Sequence, residues 1–327
     1  MIIQEILHEA YERMLTIRMA EDRIERDFLE NKIFSFYHSS KGQEAVAVGV
    51  AMALQPQDRM YGNHRSHAHY IAKGGDLYRM FAEIYGKADG CCRGYGGSMH
   101  MLDKSVGFMG SSPILGSIVP IATGSAFQQK YEAAEAGCND VPGITVCFFG
   151  DGASEEGVVY ESINLAAVMK LPILFVIEDN LYAVNTPQSA RRSPHFCRRK
   201  VYEGLGSTFN ECDGNDFASV YRIACAITDS LRDGDGPAIL HARVYRHMAH
   251  SGPIADESVR VDDTKEVREA DDCVRAIETD LTTGWSILPN RIEEIRLDVQ
   301  KRVTEAWTAA KQAPEPDERN MMKGIYA

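Results

Sequence analysis

The stretch that most constrains the fold of this chain runs from residue 144 to residue 182. It opens with an apolar run, ITVCFF, which has the composition and length of a buried strand. A glycine-flanked Asp151 follows, then a helical pattern over residues 158–169, then a second apolar run that ends just before Asn180. A strand, a crossover helix and a strand form parallel neighbours in one sheet. The sequence therefore predicts an α/β fold with Asp151 and Asn180 at the carboxyl ends of adjacent strands.

The polar residues at these strand ends indicate a metal-bridged anion, because open α/β sheets bind ligands at that edge. Asp151 and Asn180 offer hard oxygen donors, which suit Mg²⁺ or Ca²⁺. Gly152 permits close approach of the backbone, and a helix predicted to begin near Ser154 would point its amino terminus at the same place. Since Mg²⁺ prefers substrate phosphates with few carboxylates, the pattern predicts a Mg²⁺-bridged diphosphate. The alternative is a pair of surface turns, which the pairing across one strand-helix-strand unit disfavours.

A second polar cluster lies at residues 64–69, where Arg65 stands among His64, His67 and His69. The His-x-His spacing is compatible with zinc, but no cysteine or carboxylate nearby completes such a site. Histidines of a plain surface loop are the other interpretation.

Several segments together resemble one enzyme family. They are GQEAVAVGVAMAL (residues 42–54), HRSHAHYIAKG (64–74), GGSMHM (96–101), the GDG–N pattern of residues 150–180, and YRHMAHS (245–251). From about residue 11 to residue 281, the chain resembles the alpha subunit of the thiamine diphosphate-dependent first component of 2-oxo acid dehydrogenase complexes. Residues 64–74 and AEIYGK (82–87) are most similar to the acetoin dehydrogenase type. The resemblance implies a thiamine diphosphate-binding fold, with a mostly parallel sheet flanked by helices on both faces, and the cofactors thiamine diphosphate and Mg²⁺.

The resemblance also implies roles for individual residues. Mg²⁺ would be held by Asp151, Asn180 and the backbone carbonyl of Tyr182, and the catalytic residues would be His67 and His250. The residues expected to contact the cofactor are His64, Arg65, Pro113, Leu115, Asp151, Gly152, Ala153, Asn180, Tyr182 and His250.

Some positions depart from the family pattern. Pro113 and Leu115 stand where Gly and Val are usual, and Asp179 stands where Asn is more common. Ser251 and Ser258 fall in a region that carries regulatory phosphorylation sites in some relatives.

The resemblance further implies that the chain is half of an active site. Thiamine catalysis needs a carboxylate against the pyrimidine ring, and in this family a second domain supplies that Glu. Only one diphosphate-type domain is evident in the 327 residues. The implied partners are a beta subunit carrying the Glu in an α₂β₂ assembly, a lipoyl acyltransferase component, and a small 2-oxo acid or acetoin as substrate. The implied reaction decarboxylates or cleaves this substrate and passes the acyl group to a lipoyl carrier.

Two other functions stay open at this point. One is a free-standing thiamine-dependent subunit for acyl transfer or acyloin formation in a specialised pathway. The other is a non-catalytic scaffold, which the joint presence of Asp151, Asn180, Arg65, His67 and His250 disfavours, because a scaffold needs none of them.

Composition limits the partners and the compartment. The net charge of −12 argues against nucleic acid and anionic membranes. No apolar run is long enough to span a membrane, and the first residues lack the basic flank of a signal peptide. The eight cysteines show no metal-binding spacing, so free thiols in the cytoplasm are expected.

The remaining patterns complete the expected fold, a single domain over residues 1–327 with an N-terminal helical arm and C-terminal helices. A glycine-rich turn spans residues 90–97, with Gly97 in a backbone conformation closed to other residues. A polar loop is expected at 183–200 and a further strand at 237–244. Helices are expected at 3–30, 42–54, 119–133, 201–209, 216–232, 262–282 and 290–312.

Overall fold

A computed structural model describes residues 4–33, 35–135, 137, 143–253, 272–285 and 287–320 of the chain. Its strands are β1 Arg59–Gly62, β2 Phe108–Ser111, β3 Thr145–Gly150, β4 Ile173–Asp179, β5 Tyr182–Ala183, β6 Thr186–Pro187, β7 Thr208–Asp213 and β8 Ala238–Arg243. Its α-helices are α1 Gln4–Leu29, α2 Glu44–Met52, α3 Ser66–Ala72, α4 Leu77–Ile84, α5 Ile118–Glu135, α6 Gly157–Val168, α7 Gln188–Arg191, α8 Arg198–Gly204, α9 Phe217–Arg232, α10 Cys273–Thr279 and α11 Pro289–Lys311.

Six strands form one sheet in the order β2-β1-β3-β4-β8-β7. Every neighbouring pair in this sheet is parallel. Gly150 at the end of β3 pairs with Glu178 in β4, so these two central strands end side by side. Asp151 and Asn180 therefore leave the sheet at the same edge, as the sequence predicts.

Apolar side chains cover both faces of the sheet, because β3 and β4 are apolar at consecutive positions. Val146 and Phe148 belong to the core shared with α1, α2, α4, α9 and α11. Cys147 and Phe149 belong to the opposite core, shared with α5, α6 and α8. The predicted helical layer on each face is thus confirmed. The buried central strands position the residues that follow them at the edge of the sheet.

Most of the predicted elements are found within a few residues of their expected bounds. The helix expected at residues 201–209 is wrong in its second half. Helix α8 ends at Gly204, and Gly206 then takes a left-handed φ of +90° that a helix cannot accommodate. The chain continues as the edge strand β7. Most residues of this strand are polar, so its sequence shows only a weak apolar alternation.

The helix after Asp151 also begins later than expected. A 3₁₀ turn spans Ala153–Glu155, and Glu156 is extended at φ −70° and ψ 135° before α6 begins at Gly157. Ser154 instead donates from its hydroxyl to the Asp151 carbonyl at 2.6 Å, which tightens the turn. It is therefore not the N-cap of α6.

Three further expectations can be compared with the structure. Gly97 has φ +60°, the left-handed region that favours glycine. The helix expected at 262–282 lies largely outside the described residues, which resume before α10. Within the part of the chain that the structure describes, no helix combines the length and apolar character needed to cross a bilayer.

Candidate active site

A cleft that is open to solvent lies at the carboxyl edge of the sheet. Its lining residues follow four adjacent strands. Residues 63–65 come after β1, Asp151 after β3, Asn180 after β4, and Arg246 with His250 after β8. Parallel strands direct the loops that follow them to one edge, which is why residues far apart in the sequence meet here.

One side of this cleft is lined by Asp151 and Asn180, and these two residues together with Asp179 are called here the acidic half. Asp151 and Asn180 line the cleft and are 1% and 7% exposed. The Asn180 side-chain oxygen accepts from the Tyr182 N–H at 3.1 Å, and this bond orients the amide. Asp179 lies behind the cleft, where its carboxylate pairs with Arg198 and with His241, each at 2.8 Å.

Burial affects the two carboxylates of the acidic half differently. Burial, and next the charge of Asp179, raise the pKa of Asp151, although Arg191 opposes this shift. Burial also opposes ionisation of Asp179, but the hydrogen bond from His241 and the charge of Arg198 outweigh it and lower the pKa of that carboxyl. A cation beside Asp151 would remove the energetic cost of its buried charge.

The backbone beside the acidic half is tightly constrained. A Cβ on Gly152 would lie 2.7 Å from the Ala183 Cβ, so a larger residue does not fit without a shift. Val184 has φ +55°, an unfavourable conformation for a β-branched side chain. Both Arg246 terminal nitrogens donate to the Val184 carbonyl at 3.1 Å, which holds this strained turn against the cleft.

The other side of the cleft is lined by His64 and His250, and His38 packs against both rings; these three residues are called here the histidine half. Their ring centroids lie 4.9 Å (His38–His64), 5.0 Å (His38–His250) and 5.4 Å (His64–His250) apart. Burial first, and the charge of Arg65 second, lower the pKa of His38 to about 3. The same two causes lower the pKa of His64 well below its usual value. His38 and His64 are therefore neutral at physiological pH, able to donate or accept a hydrogen bond.

Arg65 connects the segments of the histidine half. Its guanidinium donates to the Ser39 carbonyl and, at 3.1 Å, to the His250 carbonyl. Burial, followed by the charge of Arg246, lowers the pKa of Arg65 to about 10, so it stays protonated. Two buried guanidinium groups, Arg65 and Arg246, thus give this cleft positive potential.

The structure does not bring His67 into the cleft. The ring is 1% exposed, and its two nitrogens lie 3.2 Å from Glu21 Oε1 and 2.9 Å from Ser98 Oγ. Glu21 is fully buried and also accepts from the Tyr37 hydroxyl at 2.7 Å. The geometry makes His67 part of an internal polar network beneath the histidine half.

The other predicted positions are distributed as follows. Gly152, Ala153, Tyr182 and Leu115 line the cleft. Pro113 is not among the lining residues, although the same short segment presents Leu115, which is 42% exposed.

The remaining sequence predictions concern Ser251, Ser258 and a zinc site. Ser251 is exposed beside His250, and Ser258 lies outside the described residues. The zinc interpretation fails for the described residues, because His64, His67 and His69 face different surroundings. His69 lies 3.1 Å from Glu178 and takes no part in the cleft.

Sequence reasoning missed three residues that line the cleft, Gln43, Glu178 and Arg246, and it also missed His38, which packs against two of the lining histidines. His38 is separated from His64 and His250 in sequence, and only the fold joins them. Arg246 had a usable signal, since it lies in the YRHMAHS segment that already pointed to His250.

Another cluster outside the cleft has metal-ligand chemistry, formed by Glu83, Cys91 and Cys92. Its carboxylate is already saturated, because both Glu83 oxygens accept backbone N–H groups of the glycine-rich turn, including Cys92 at 2.6 Å and Gly96 at 2.6 Å. This cluster therefore stabilises the turn.

The cleft fits a cation-bridged diphosphate cofactor on two observations. The acidic half offers hard oxygen donors, which is the donor set that Mg²⁺ takes. On the other side, within the described residues, both ring nitrogens of His64, Nδ1 of His38 and Nε2 of Gln43 are buried without a hydrogen-bond partner. Buried polar groups are normally paired, so these atoms are suited to a polar ligand.

The chain is similar to known proteins over most of its length. The model of the family described as "Dehydrogenase E1 component" matches residues 12–319. The chain is 36% identical over 324 residues to the alpha subunit of acetoin:2,6-dichlorophenolindophenol oxidoreductase from Cupriavidus necator, covering 99% of this chain and 95% of that protein. It is 35% identical over 318 residues to the Bacillus subtilis protein of the same name, covering 97% and 92%. It is also 35% identical over 323 residues to the pyruvate dehydrogenase E1 component alpha subunit from Zymomonas mobilis, covering 98% and 89%.

Proposed function

Because the chain belongs to the dehydrogenase E1 component family, we propose that it is the alpha subunit of a heteromeric thiamine diphosphate-dependent dehydrogenase of a 2-oxo acid or acetoin. The observation that carries this proposal is the meeting of Asp151 and Asn180 with His64 and His250 in one cleft. The relatives' names support both substrates, since acetoin and pyruvate enzymes match at nearly equal identity.

The acidic half would bind the metal and the diphosphate. Asp151, the Asn180 side-chain oxygen and the Tyr182 carbonyl would hold Mg²⁺. Arg65 and Arg246 would attract the anionic cofactor, since both are buried and line the cleft. Leu115 would pack against the apolar part of the cofactor from the rim.

The histidine half would handle protons at the reacting carbonyl. When bound, thiamine diphosphate supplies the nucleophilic carbon and the electron sink needed to cleave the bond beside that carbonyl. His64 and His250 line the cleft with ring centroids 5.4 Å apart, where both would position the substrate oxygen and His250 would move a proton to or from it. The neutral state of His64 suits the first role, because a neutral imidazole can donate a hydrogen bond to that oxygen.

The proposed assembly needs further chains. A beta subunit would supply the activating Glu in an α₂β₂ tetramer, and a lipoyl acyltransferase would accept the acyl group. The subunit naming of the relatives supports the beta partner.

A dye-reduction assay tests the proposal directly. The chain co-purified with its beta partner would be supplied with Mg²⁺ and thiamine diphosphate and offered pyruvate, branched 2-oxo acids, 2-oxoglutarate and acetoin. We expect turnover of one of these, and none with the alpha chain alone. Full activity of the isolated chain would contradict the half-site proposal, and bound cofactor without any dye reduction would favour non-oxidative acyl transfer.

A further inference from the structure

The segment that follows β4 folds back over the acidic half. Strands β5 and β6 form a short antiparallel hairpin in which Tyr182 pairs with Pro187 and Ala183 with Thr186. Helix α7 begins directly after the hairpin and places Gln188 and Arg191 against Asp151. The hairpin thus connects Tyr182, whose backbone carbonyl is one proposed metal ligand, to Gln188 and Arg191, whose side chains contact Asp151, a second proposed ligand.

These contacts fall on one oxygen of Asp151. Oδ2 accepts from Gln188 Nε2 at 3.3 Å and forms an ion pair with Arg191 Nη2. Among the described residues, the hydrogen bonds and ion pairs of this side chain all end on Oδ2. Since Asp151 lines the cleft, Oδ1 is the oxygen left for a ligand.

From this geometry we propose that Arg191 and Gln188 are positioning residues for the metal site. They occupy Oδ2 of Asp151, fix the rotation of its carboxylate and so direct Oδ1 into the cleft, where a divalent cation would take it. This inference rests on the proposed function, because it concerns the metal of the same cofactor. Partners that orient a ligand in this way commonly change metal affinity by about 10- to 100-fold when removed.

Arg191 is itself anchored, as a positioning residue must be. Its Nη1 pairs with Glu155, and its Nε donates to the Thr186 carbonyl at 3.2 Å. The side chain is 12% exposed. An arginine held at Glu155, Thr186 and Asp151 fixes the carboxylate more firmly than a mobile one would.

Gln188 couples the two carboxylates of the acidic half. Its side-chain amide donates to Oδ2 of Asp151 and to Oδ1 of Asp179. Asp179 is fixed on its other oxygen by Arg198 and His241. The same amide thus links Asp151 to an ion-paired group behind the cleft, which also explains how the chain accommodates a carboxylate at position 179.

A competing role for Arg191, as an occupant of the metal position, predicts the opposite change in metal affinity. If Arg191 merely occupied the cation's position, its removal would strengthen metal binding, because a competing positive charge would be gone. A positioning role requires metal binding to weaken. The sign of one measurement therefore distinguishes the two.

The experiment measures Mn²⁺ binding to the complex of this chain and its beta partner, with thiamine diphosphate present, by electron paramagnetic resonance. For Arg191→Met we expect about 10- to 100-fold weaker Mn²⁺ binding, with Arg191→Lys recovering part of the loss. Gln188→Ala should weaken binding less, because its bond to Asp151 is longer. The matched control is Arg199→Ala, since Arg199 lies on the neighbouring helix α8, is 45% exposed and pairs only with Glu203 and Glu211 among carboxylates of the described residues.

Each outcome decides something. Unchanged or tighter Mn²⁺ binding in Arg191→Met overturns the positioning role of Arg191, and the same result in Gln188→Ala overturns that of Gln188. A loss that Arg191→Lys does not recover, together with a lowered melting temperature, also overturns it, because the loss would then be structural. Failure of the unaltered complex to bind Mn²⁺ and thiamine diphosphate would instead reject the proposed function.

Discussion

The two halves of the cleft are built in different ways. In the acidic half, Asp151, Asp179 and Asn180 come from one strand-helix-strand unit, and most of the side chains that hold them follow in residues 188–198, with His241 of β8 as the distant contact. In the histidine half, His38, His64 and His250 come from three distant parts of the chain. One half is local in sequence, and the other exists only because the sheet gathers its loops.

The halves also differ in charge. The acidic half contains carboxylates compensated by arginines, in a chain with a formal net charge of −12. In the histidine half, burial and the charge of Arg65 lower the pKa of His38 and His64 and keep these two imidazoles neutral. The first arrangement suits a cation and a diphosphate, and the second suits proton transfer at a carbonyl. The proposed division of work between cofactor binding and catalysis follows from this difference.

The largest effect is expected from Asp151→Asn, which tests the acidic half. Removing the carboxylate leaves Mg²⁺ with weak neutral donors, so cofactor binding should fall by more than about 100-fold and turnover to background. Titration calorimetry with thiamine diphosphate and Mg²⁺ measures the first quantity. Asp213→Asn is the matched control, since Asp213 ends the edge strand β7 and is exposed. If Asp151→Asn kept its cofactor affinity, the proposal that the metal binds in the acidic half would be wrong.

The next effect is expected from His38→Ala, which tests the histidine half. Turnover should fall by about 100-fold, the lower end of what proton transfer contributes, because His64 and His250 lose the ring that they pack against, while cofactor affinity changes little. Steady-state dye reduction and calorimetry on the same complex separate the two. The exposed His195, replaced by Ala, serves as the control. Loss of cofactor affinity without loss of turnover would contradict the division between the halves.

A smaller effect is expected from His67→Asn, because this histidine lies beneath the cleft. Breaking its contact with the buried Glu21 should lower the free energy of unfolding by about 1–3 kcal/mol, with turnover nearly unchanged. Melting temperature and dye reduction of the complex give the two readings, and Glu21→Gln should behave similarly. If turnover fell about 100-fold at constant melting temperature, His67 would have a direct catalytic part, as the sequence predicts.

The smallest effect is a difference in pH dependence. The pKa of His38 is about 3 in the folded protein and 6.5 in the unfolded chain. Between these two pH values the unfolded state therefore binds more protons than the folded state. The free energy of unfolding should therefore fall as pH drops below 6.5, by less than about 1.4 kcal/mol per pH unit for this histidine, because solvent in the cleft screens it. Asp179, whose pKa is lowered, keeps its contribution until pH falls below the ordinary aspartate range.

Urea denaturation of the complex from pH 7 to pH 4 checks this dependence. Replacing His38 with Gln should flatten the slope between pH 6.5 and pH 4, whereas Asp179→Asn should leave that slope in place. An unchanged slope in His38→Gln would mean that this histidine is not held neutral by the fold.

The sequence predicted those strands of the sheet in which apolar residues follow one another without interruption. The apolar runs of β3 and β4 are buried on both faces, so their composition alone distinguishes them from helices and loops. Strand β7 was missed because it is an edge strand with polar and apolar residues mixed. Strands β1 and β2 were missed because four residues are too few to show a period.

By itself, the sequence determined the parallel core, the position of Asp151 and Asn180 at its edge, and the family. Each of these depends on residues close together in the chain, whose spacing reports local geometry. Only the tertiary structure decided that His38 joins His64 and His250, that His67 turns inward to Glu21, and that Arg191 fixes one oxygen of Asp151. Those contacts depend on how separate loops pack and on which charges are buried together, and no local pattern encodes either.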